Sequence, residues 1–233
     1  MTIDRSAIWY GDSRELVKDI DQPVSLIITD PPYGMSYESN FAETAQGKRF
    51  VRAVEGDGDL AEALQLFDDV MRPLVSKTVA DADMYVFCRW NMIQLWIDAV
   101  NKLPEFDVKT FLVWDKGYLG MGDVEACWPF SFEIILYAKK GRRMLPERRN
   151  SVLSFNRVAQ QHMIHPTEKP IELLQELIGV SSVKGDLVVD PFSGSGSTAV
   201  AAHRLGRVGL GIEVDDFYIT RSRERLTQGV FDL

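Results

Sequence analysis

Asp30-Pro31-Pro32-Tyr33 follows directly on an apolar run, Leu26-Ile27-Ile28-Thr29, and these residue types suit one chemical task. Proline cannot donate to a sheet ladder, and it pushes the residue before it away from the helical region. The chain must leave the strand stiff and extended, with the Asp30 and Pro31 carbonyls facing outward. A rigid carboxylate, a fixed carbonyl and an aromatic ring at the carboxyl end of a strand form a clamp for a planar amino group. Adenine and cytosine carry such a group. The tetrapeptide reads equally as an edge-strand turn with a packed tyrosine.

A second candidate is Asp190-Pro191-Phe192-Ser193-Gly194-Ser195-Gly196, which follows the apolar Leu187–Val189 and opens a helix ended by Gly206. Gly194, Gly196 and Ala199 have the G-x-G-x-x-G/A spacing of nucleotide-type sites. Glycines let backbone N–H groups approach a ligand, and a helix N-terminus favours a negative group. Glu213 ends the next strand, seventeen residues after Gly196, where an acid suits ribose hydroxyls. Only twenty residues follow Glu213, room for about one helix. The sheet must be completed by strands upstream, so the cofactor half comes last and the Asp30 half first.

Those upstream strands are predicted at Ala7–Tyr10, Val24–Thr29, Met84–Cys88, Val108–Trp114 and Phe132–Ala138, with Leu187–Val189 and Val208–Ile212 completing the set. Helices are predicted at Leu60–Ser76, Asn91–Lys102, Glu168–Val180, Ser197–Leu205 and Asp216–Leu226. Leu64, Phe67, Met71 and Leu74 keep helical spacing in the first of these. Alternation of helices with apolar strands argues for a mostly parallel sheet covered on both faces. Residues 35–58 and 141–165 read as irregular and polar. A chain of 233 residues, 45% hydrophobic, suits a single α/β domain.

No apolar stretch reaches membrane-span length, and Met1–Trp9 has no secretory pattern. Cys88 and Cys127 lack metal-ligand spacing. His162 and His165 have no third ligand nearby, so no metal is expected. A cytoplasmic protein with reduced thiols is the simplest reading. The net charge of −8 by itself argues against a nucleic-acid partner, but its distribution matters more. Lys139, Lys140, Arg142, Arg143, Arg148 and Arg149 crowd into one segment against a single acid, Glu147. Lys48, Arg49 and Arg52 form a smaller group. Both suit phosphate contact as well as plain solvation. Trp90 and Trp114 follow strands and could line a pocket rim.

Three motifs now stand in order: Asp30-Pro31-Pro32-Tyr33, His165-Pro166-Thr167-Glu168-Lys169-Pro170 and Asp190 to Gly196. Together they resemble the amino-group DNA methyltransferases of the N6-adenine and N4-cytosine kind. With the catalytic motif ahead of the cofactor loop, the order resembles the circularly permuted β group. The resemblance implies an S-adenosylmethionine-dependent methyltransferase with a Rossmann-like fold. That fold has a mostly parallel seven-stranded sheet in permuted order, within one domain over 1–233. It implies that Asp30 and the Pro31 carbonyl, set by Pro32, bind the target amino group while Tyr33 stacks on a flipped base. It places the cofactor's methionine part against Asp190, Pro191, Phe192, Ser193, Gly194, Ser195 and Gly196, its ribose on Glu213 and its carboxylate near Thr167 and Lys169. Gly11-Asp12-Ser13 resembles the element whose Asp contacts the cofactor adenine. Phe132–Tyr137 resembles the strand that precedes the target-recognition region.

The partner implied is double-stranded DNA, with restriction–modification as the setting. Asp at the first motif position leans toward N6-adenine over N4-cytosine. A catalytically silent DNA-binding module is the alternative, and an RNA target stays open. A nicotinamide oxidoreductase is disfavoured by the late glycine loop. The segment 140–164 is short for target recognition, which makes a homodimer plausible. Ser154, Asn156, Arg157, Gln160, Gln161 and His162 are its candidates for reaching base edges. The segment 35–58, with Tyr37, Phe41, Lys48, Arg49, Phe50 and Arg52, is expected to contact DNA.

Overall fold

The computed structural model describes residues 5–33, 41–42, 49–50, 59–117, 126, 128–159, 161, 163, 165 and 167–231, with backbone alone at 41–42, 49–50 and 229–231. Ten strands are described: β1 (Ala7–Tyr10), β2 (Val24–Thr29), β3 (Phe41–Ala42), β4 (Arg49–Phe50), β5 (Thr78–Cys88), β6 (Asp107–Asp115), β7 (Phe132–Lys140), β8 (Val152–Ser154), β9 (Leu187–Asp190) and β10 (Val208–Glu213). The α-helices are α1 (Ser13–Leu16), α2 (Leu60–Val75), α3 (Ile93–Asn101), α4 (Ile171–Ser181), α5 (Ser197–Arg204) and α6 (Asp216–Phe231).

Eight strands form one sheet in the order β1-β10-β9-β2-β5-β7-β6-β8, and β3 pairs with β4 in a separate hairpin. Within the main sheet β7 alone runs against its neighbours. The other seven strands therefore end at the same edge. All six residues of β2 are buried, as expected of a strand covered on both faces. Side chains alternate across the sheet, so Ile27 joins one core and Leu26 and Ile28 the other. On the Ile27 face lie Phe67, Met71 and Leu74 of α2 and Trp96 and Val100 of α3. On the opposite face lie Leu173, Leu174, Leu177 and Ile178 of α4, Val200 of α5, and Ile219 and Leu226 of α6.

The sheet has eight strands where seven were expected. The extra one, β8, falls in the segment read as irregular. It has three residues, of which only Leu153 is buried, too little to register as periodicity. Strand β5 begins at Thr78, well before the predicted Met84. Asp81 and Asp83 disguise its first half, and Asp83 is tolerated there because Lys139 on β7 lies 3.1 Å from it. Helix α4 starts at Ile171 instead of Glu168, because Pro170 disfavours helix at Lys169. Helix α6 continues beyond the predicted Leu226 to Phe231.

Helix α5 lies very close to β10. A Cβ built on Gly209 would stand 2.6 Å from the Ala199 Cα and 2.7 Å from its carbonyl oxygen, both backbone atoms that cannot yield. This contact seats the start of α5, and with it the loop at Asp190–Gly196. Gly209→Ala is expected to lower stability by about 1–3 kcal/mol, as overpacking does, measured by urea unfolding.

Candidate active site

Strands β2 and β9 are parallel neighbours, with Leu26 opposite Val188 and Ile27 opposite Val189. Asp30, just past the end of β2, therefore lies beside Asp190, the last residue of β9. Both open onto one cavity of about 770 Å³ at the carboxyl edge of the sheet. Asp30–Tyr33, Thr167–Lys169, Asp190–Ser195 and Glu213 all line it. This is the crevice position favoured for ligands in open α/β sheets.

Asp30 is held on both carboxylate oxygens. The Tyr33 hydroxyl donates to Oδ1, and the Lys169 ammonium lies 2.7 Å from Oδ2. The Tyr33 ring meets Trp96 edge-on, with centroids 6.2 Å apart, which fixes the hydroxyl. Lys169 Nζ also contacts Glu133 Oε1 at 2.8 Å, while Lys116 Nζ holds Glu133 Oε2 at 2.8 Å. Burial pushes the Asp30 carboxyl up; Lys169 opposes this and Glu133 adds to it. Burial would raise Glu133 too, but two ammonium groups overcome it and hold the carboxyl low. Lys169 stays protonated, since its two carboxylate partners outweigh its own desolvation.

Glu133 and Lys116 were not expected to be site residues. The available signal was an acid second in a strand, Phe132-Glu133-Ile134-Ile135-Leu136, that otherwise turns apolar at once. Lys169 was expected near the cofactor carboxylate. Its ammonium is turned instead to Asp30 and Glu133, stacked 4.7 Å over the Phe87 ring.

The glycine loop is braced at both ends. Asp190 accepts from the Phe192 N–H at 3.1 Å and from the Thr198 hydroxyl at 2.7 Å, tying the strand end to the first turn of α5. Gly196 precedes that turn at φ 74°, a left-handed conformation suited to glycine. Glu213 accepts from the Gly194 and Asp215 N–H groups at 2.7 Å each. His165 packs against Gly194 and, edge-on, against Tyr218. Its Nδ1 receives the Thr167 N–H at 3.3 Å, so it shapes the turn. Burial and nearby Lys169 push the imidazole down to about 4, so it is neutral at physiological pH.

Asp12 caps α1 and pairs with Arg14, while its neighbour Ser13 lines the cavity and donates to the Pro191 carbonyl. The basic run begins at the far end of β7. Glu133 is at the cavity, and Lys140 is seven residues along, about 24 Å away at strand rise. Beyond it, Arg143 pairs with Asp186 at the foot of β9 and donates to the Ser181 carbonyl, and the Arg142 N–H bonds Asp81. Arg142 and Arg143 thus lie away from the cavity mouth. Arg149 pairs with Glu147 and Glu176, and Arg148 is exposed. The segment returns through β8 to the cavity, where Arg157 lines the wall and Trp114 Nε1 donates to the Phe155 carbonyl at 2.7 Å. Arg89, Trp90, Phe130 and Phe132 share this rim, and Trp90 stacks with Phe130. Lys48 and Arg52 lie outside the described residues, as do Gln160 and His162. Arg49 is described only as backbone of β4. Among the described residues no cluster of three or more His, Cys, Asp or Glu could hold a metal ion, and no helix is long and apolar enough to cross a membrane.

Burial pushes both Asp190 and Glu213 up to about 7. Asp190 thus binds its proton more tightly folded than unfolded. Its contribution to stability is whole below the ordinary value of 3.8 and is lost as pH rises through about 7. Across that window Asp190→Asn should gain on the wild type by up to something on the order of 3 kcal/mol. Urea unfolding at about pH 5.5 and about pH 8 checks this: the difference between the two proteins must grow toward the higher pH.

The sequence profile of a DNA methylase family, the N6/N4 amino-methyltransferases, matches residues 24–224. A protein of Escherichia coli strain K12 that bears the name Putative methylase YubD is 33% identical over 204 residues, covering 87% of this chain and 82% of that protein. A type II methyltransferase of Lactococcus lactis subsp. cremoris, M2.LlaDCHI, is 25% identical over 247 residues, covering 97% and 91%. Among solved structures, M1.HpyAVI in complex with SAM superposes with a TM-score of 0.71 at 25% identity, covering 94% of this chain and 98% of that one. The cytosine-N4-specific PvuII DNA methyltransferase shares the fold, with a TM-score of 0.69 at 15% identity over 98% and 92%. The match spans both the Asp30 and the Asp190 motifs and all but the outermost strand and the chain ends, and so this chain belongs to the N6/N4 amino-group DNA methylase family.

Proposed function

We propose that the protein transfers a methyl group from S-adenosylmethionine to the N6 amino group of an adenine flipped out of double-stranded DNA. One observation carries this reading: the amino-group clamp at Asp30–Tyr33 and the glycine loop at Asp190–Gly196 open side by side onto one cavity. The loop suits that cofactor. Gly194 and Gly196 hold positive φ, Ser193 Oγ is buried without a hydrogen-bond partner among the described residues, and Glu213 offers a carboxylate for vicinal hydroxyls. Thr167 lines the same cavity and would serve the amino-acid tail, and Asp12 precedes Ser13, which lines it too.

S-adenosylmethionine, when bound, supplies a methyl group already activated by the sulfonium charge. The protein's task is the nitrogen. An exocyclic amino group is a poor nucleophile because its lone pair is delocalised into the ring. Hydrogen bonds from its protons to Asp30 and the Pro31 carbonyl favour a tetrahedral nitrogen with a localised pair, aligned at near-attack distance. The amino proton becomes acidic only as the N–C bond forms, and Asp30 is placed to take it. The target is out of reach inside a duplex, so the base must be extruded onto an aromatic face, which Tyr33 offers.

Asp30 at the first motif position favours adenine. Cytosine N4 is the second reading, since the same clamp fits either amino group. The 35–58 segment and the rim residues Arg89, Trp90, Phe130 and Arg157 are the proposed DNA contacts, within a single domain over 1–233. The short 140–164 segment favours a homodimer that shares target recognition.

Incubation with labelled S-adenosylmethionine and unmethylated genomic DNA should yield N6-methyladenine by nucleoside mass spectrometry. N4-methylcytosine in its place would install the second reading, and no product in either base would sink both. Asp30→Ala should cut transfer by roughly 10²–10⁴-fold, with cofactor affinity by calorimetry close to wild type. For DNA affinity, Arg89→Ala and Arg157→Ala should each reduce the slope of log K against log salt by about 1, while Arg142→Ala with Arg143→Ala should leave it unchanged.

A further inference from the structure

The clamp as it stands already has protein partners. Both oxygens of Asp30 are engaged, one by the Tyr33 hydroxyl and the other by Lys169 Nζ at 2.7 Å. An incoming amino group must share Asp30 with these donors or displace one of them. Tyr33 is fixed by its own ring packing and is only three residues away. Lys169 sits at the end of a long flexible side chain, and it has a second carboxylate, Glu133, at 2.8 Å. Glu133 is in turn anchored on its other oxygen by Lys116. The four side chains alternate in sign from the cavity floor outward: Asp30, Lys169, Glu133, Lys116. Their side chains are 17%, 10%, 14% and 21% exposed, so a vacated partner would not be replaced freely by water.

We infer that Glu133 is a positioning residue for methyl transfer, receiving the Lys169 ammonium when the target amino group displaces it from Asp30. The inference rests on the methyl-transfer reading given above and assigns it a gate. In the free protein Lys169 neutralises the buried Asp30. On base entry Lys169 swings wholly onto Glu133, and the vacated Oδ2 accepts the amino N–H. Lys116 keeps Glu133 pointed at Lys169 throughout. Asp30 thus never stands as an isolated buried anion, which would be costly. Other groups face this cluster without competing for Lys169: Cys88 at the end of β5, a neutral thiol, and Asp190 on β9, itself tied to Thr198 and Phe192.

The test uses the full chain and two isosteric or near-isosteric variants, Glu133→Gln and Lys169→Met. In Glu133→Gln the ammonium has no second carboxylate, so it clings to Asp30 and competes with the base. Single-turnover transfer to genomic DNA should fall by about 10–100-fold, with S-adenosylmethionine affinity unchanged. The two variants should also move the acid limb of the pH–rate profile in opposite directions. Glu133→Gln removes a like charge from Asp30 and moves the limb to lower pH. Lys169→Met removes the cation and moves it to higher pH. A carboxyl-detected NMR titration of Asp30 in the free protein must show the same opposite displacements, and it needs no turnover. It therefore tests the ion-pair chain even if the methyl-transfer reading fails. Parallel losses with an unmoved profile, or wild-type transfer rates in Glu133→Gln, would overturn the gate. Melting curves identify any variant that is merely unfolded, and for such a variant Glu133→Asp replaces it in the same comparison.

Discussion

The parallel pairing of β2 with β9 is the constraint on which the site depends. Residues from opposite halves of the chain reach one cavity because two buried, apolar strands run side by side and end at the same edge. The register is not free. Side chains alternate between faces, so a slip of one residue would move Ile27 into the core of Leu26 and Ile28 and invert the packing on both sheet faces. Burial of the two cores thus fixes the separation of Asp30 from Asp190 without any direct bond between them.

Charge is then managed locally at that edge. The cavity floor gathers Asp30, Glu133, Asp190 and Glu213 in a protein that is already acidic overall. Each carboxylate has a distinct compensation. Asp30 and Glu133 share Lys169, with Lys116 added for Glu133. Asp190 and Glu213 have only hydrogen-bond donors, which lower the carboxyl but do not offset burial, so both are raised to about 7. A site of this kind suits a positively charged ligand on the glycine-loop side and a neutral amino group on the Asp30 side.

Much of the fold was readable because its signals are local. The apolar runs at Val24–Thr29 and Leu187–Val189, the prolines after Asp30 and the glycines after Asp190 each declare a strand end or a loop without help from the rest of the chain. What escaped was either short or compensated at a distance. Strand β8 has one buried residue and is held by pairing with β6. The first half of β5 contains Asp83, acceptable only because Lys139 of β7 lies across from it. The basic run from Lys139 to Arg149 suited phosphate contact or plain solvation in one dimension. In three, Lys139, Lys140, Arg143 and Arg149 are partners of Asp83, Glu105, Asp186 and Glu176.

By itself the sequence determined the alternation of strands and helices, the two loops and the residue types at the clamp, since these follow from backbone chemistry and hydrophobic periodicity. The tertiary structure alone decided which charges meet. Lys169 is two residues from Thr167 in the chain but bonded to Asp30 and Glu133 in space. No spacing rule could foresee that, because an ion pair between distant segments depends on the sheet order that brings β2 and β7 to either side of β5. The same sheet order placed Arg142 and Arg143 at the opposite edge, since β7 is the strand that runs backward.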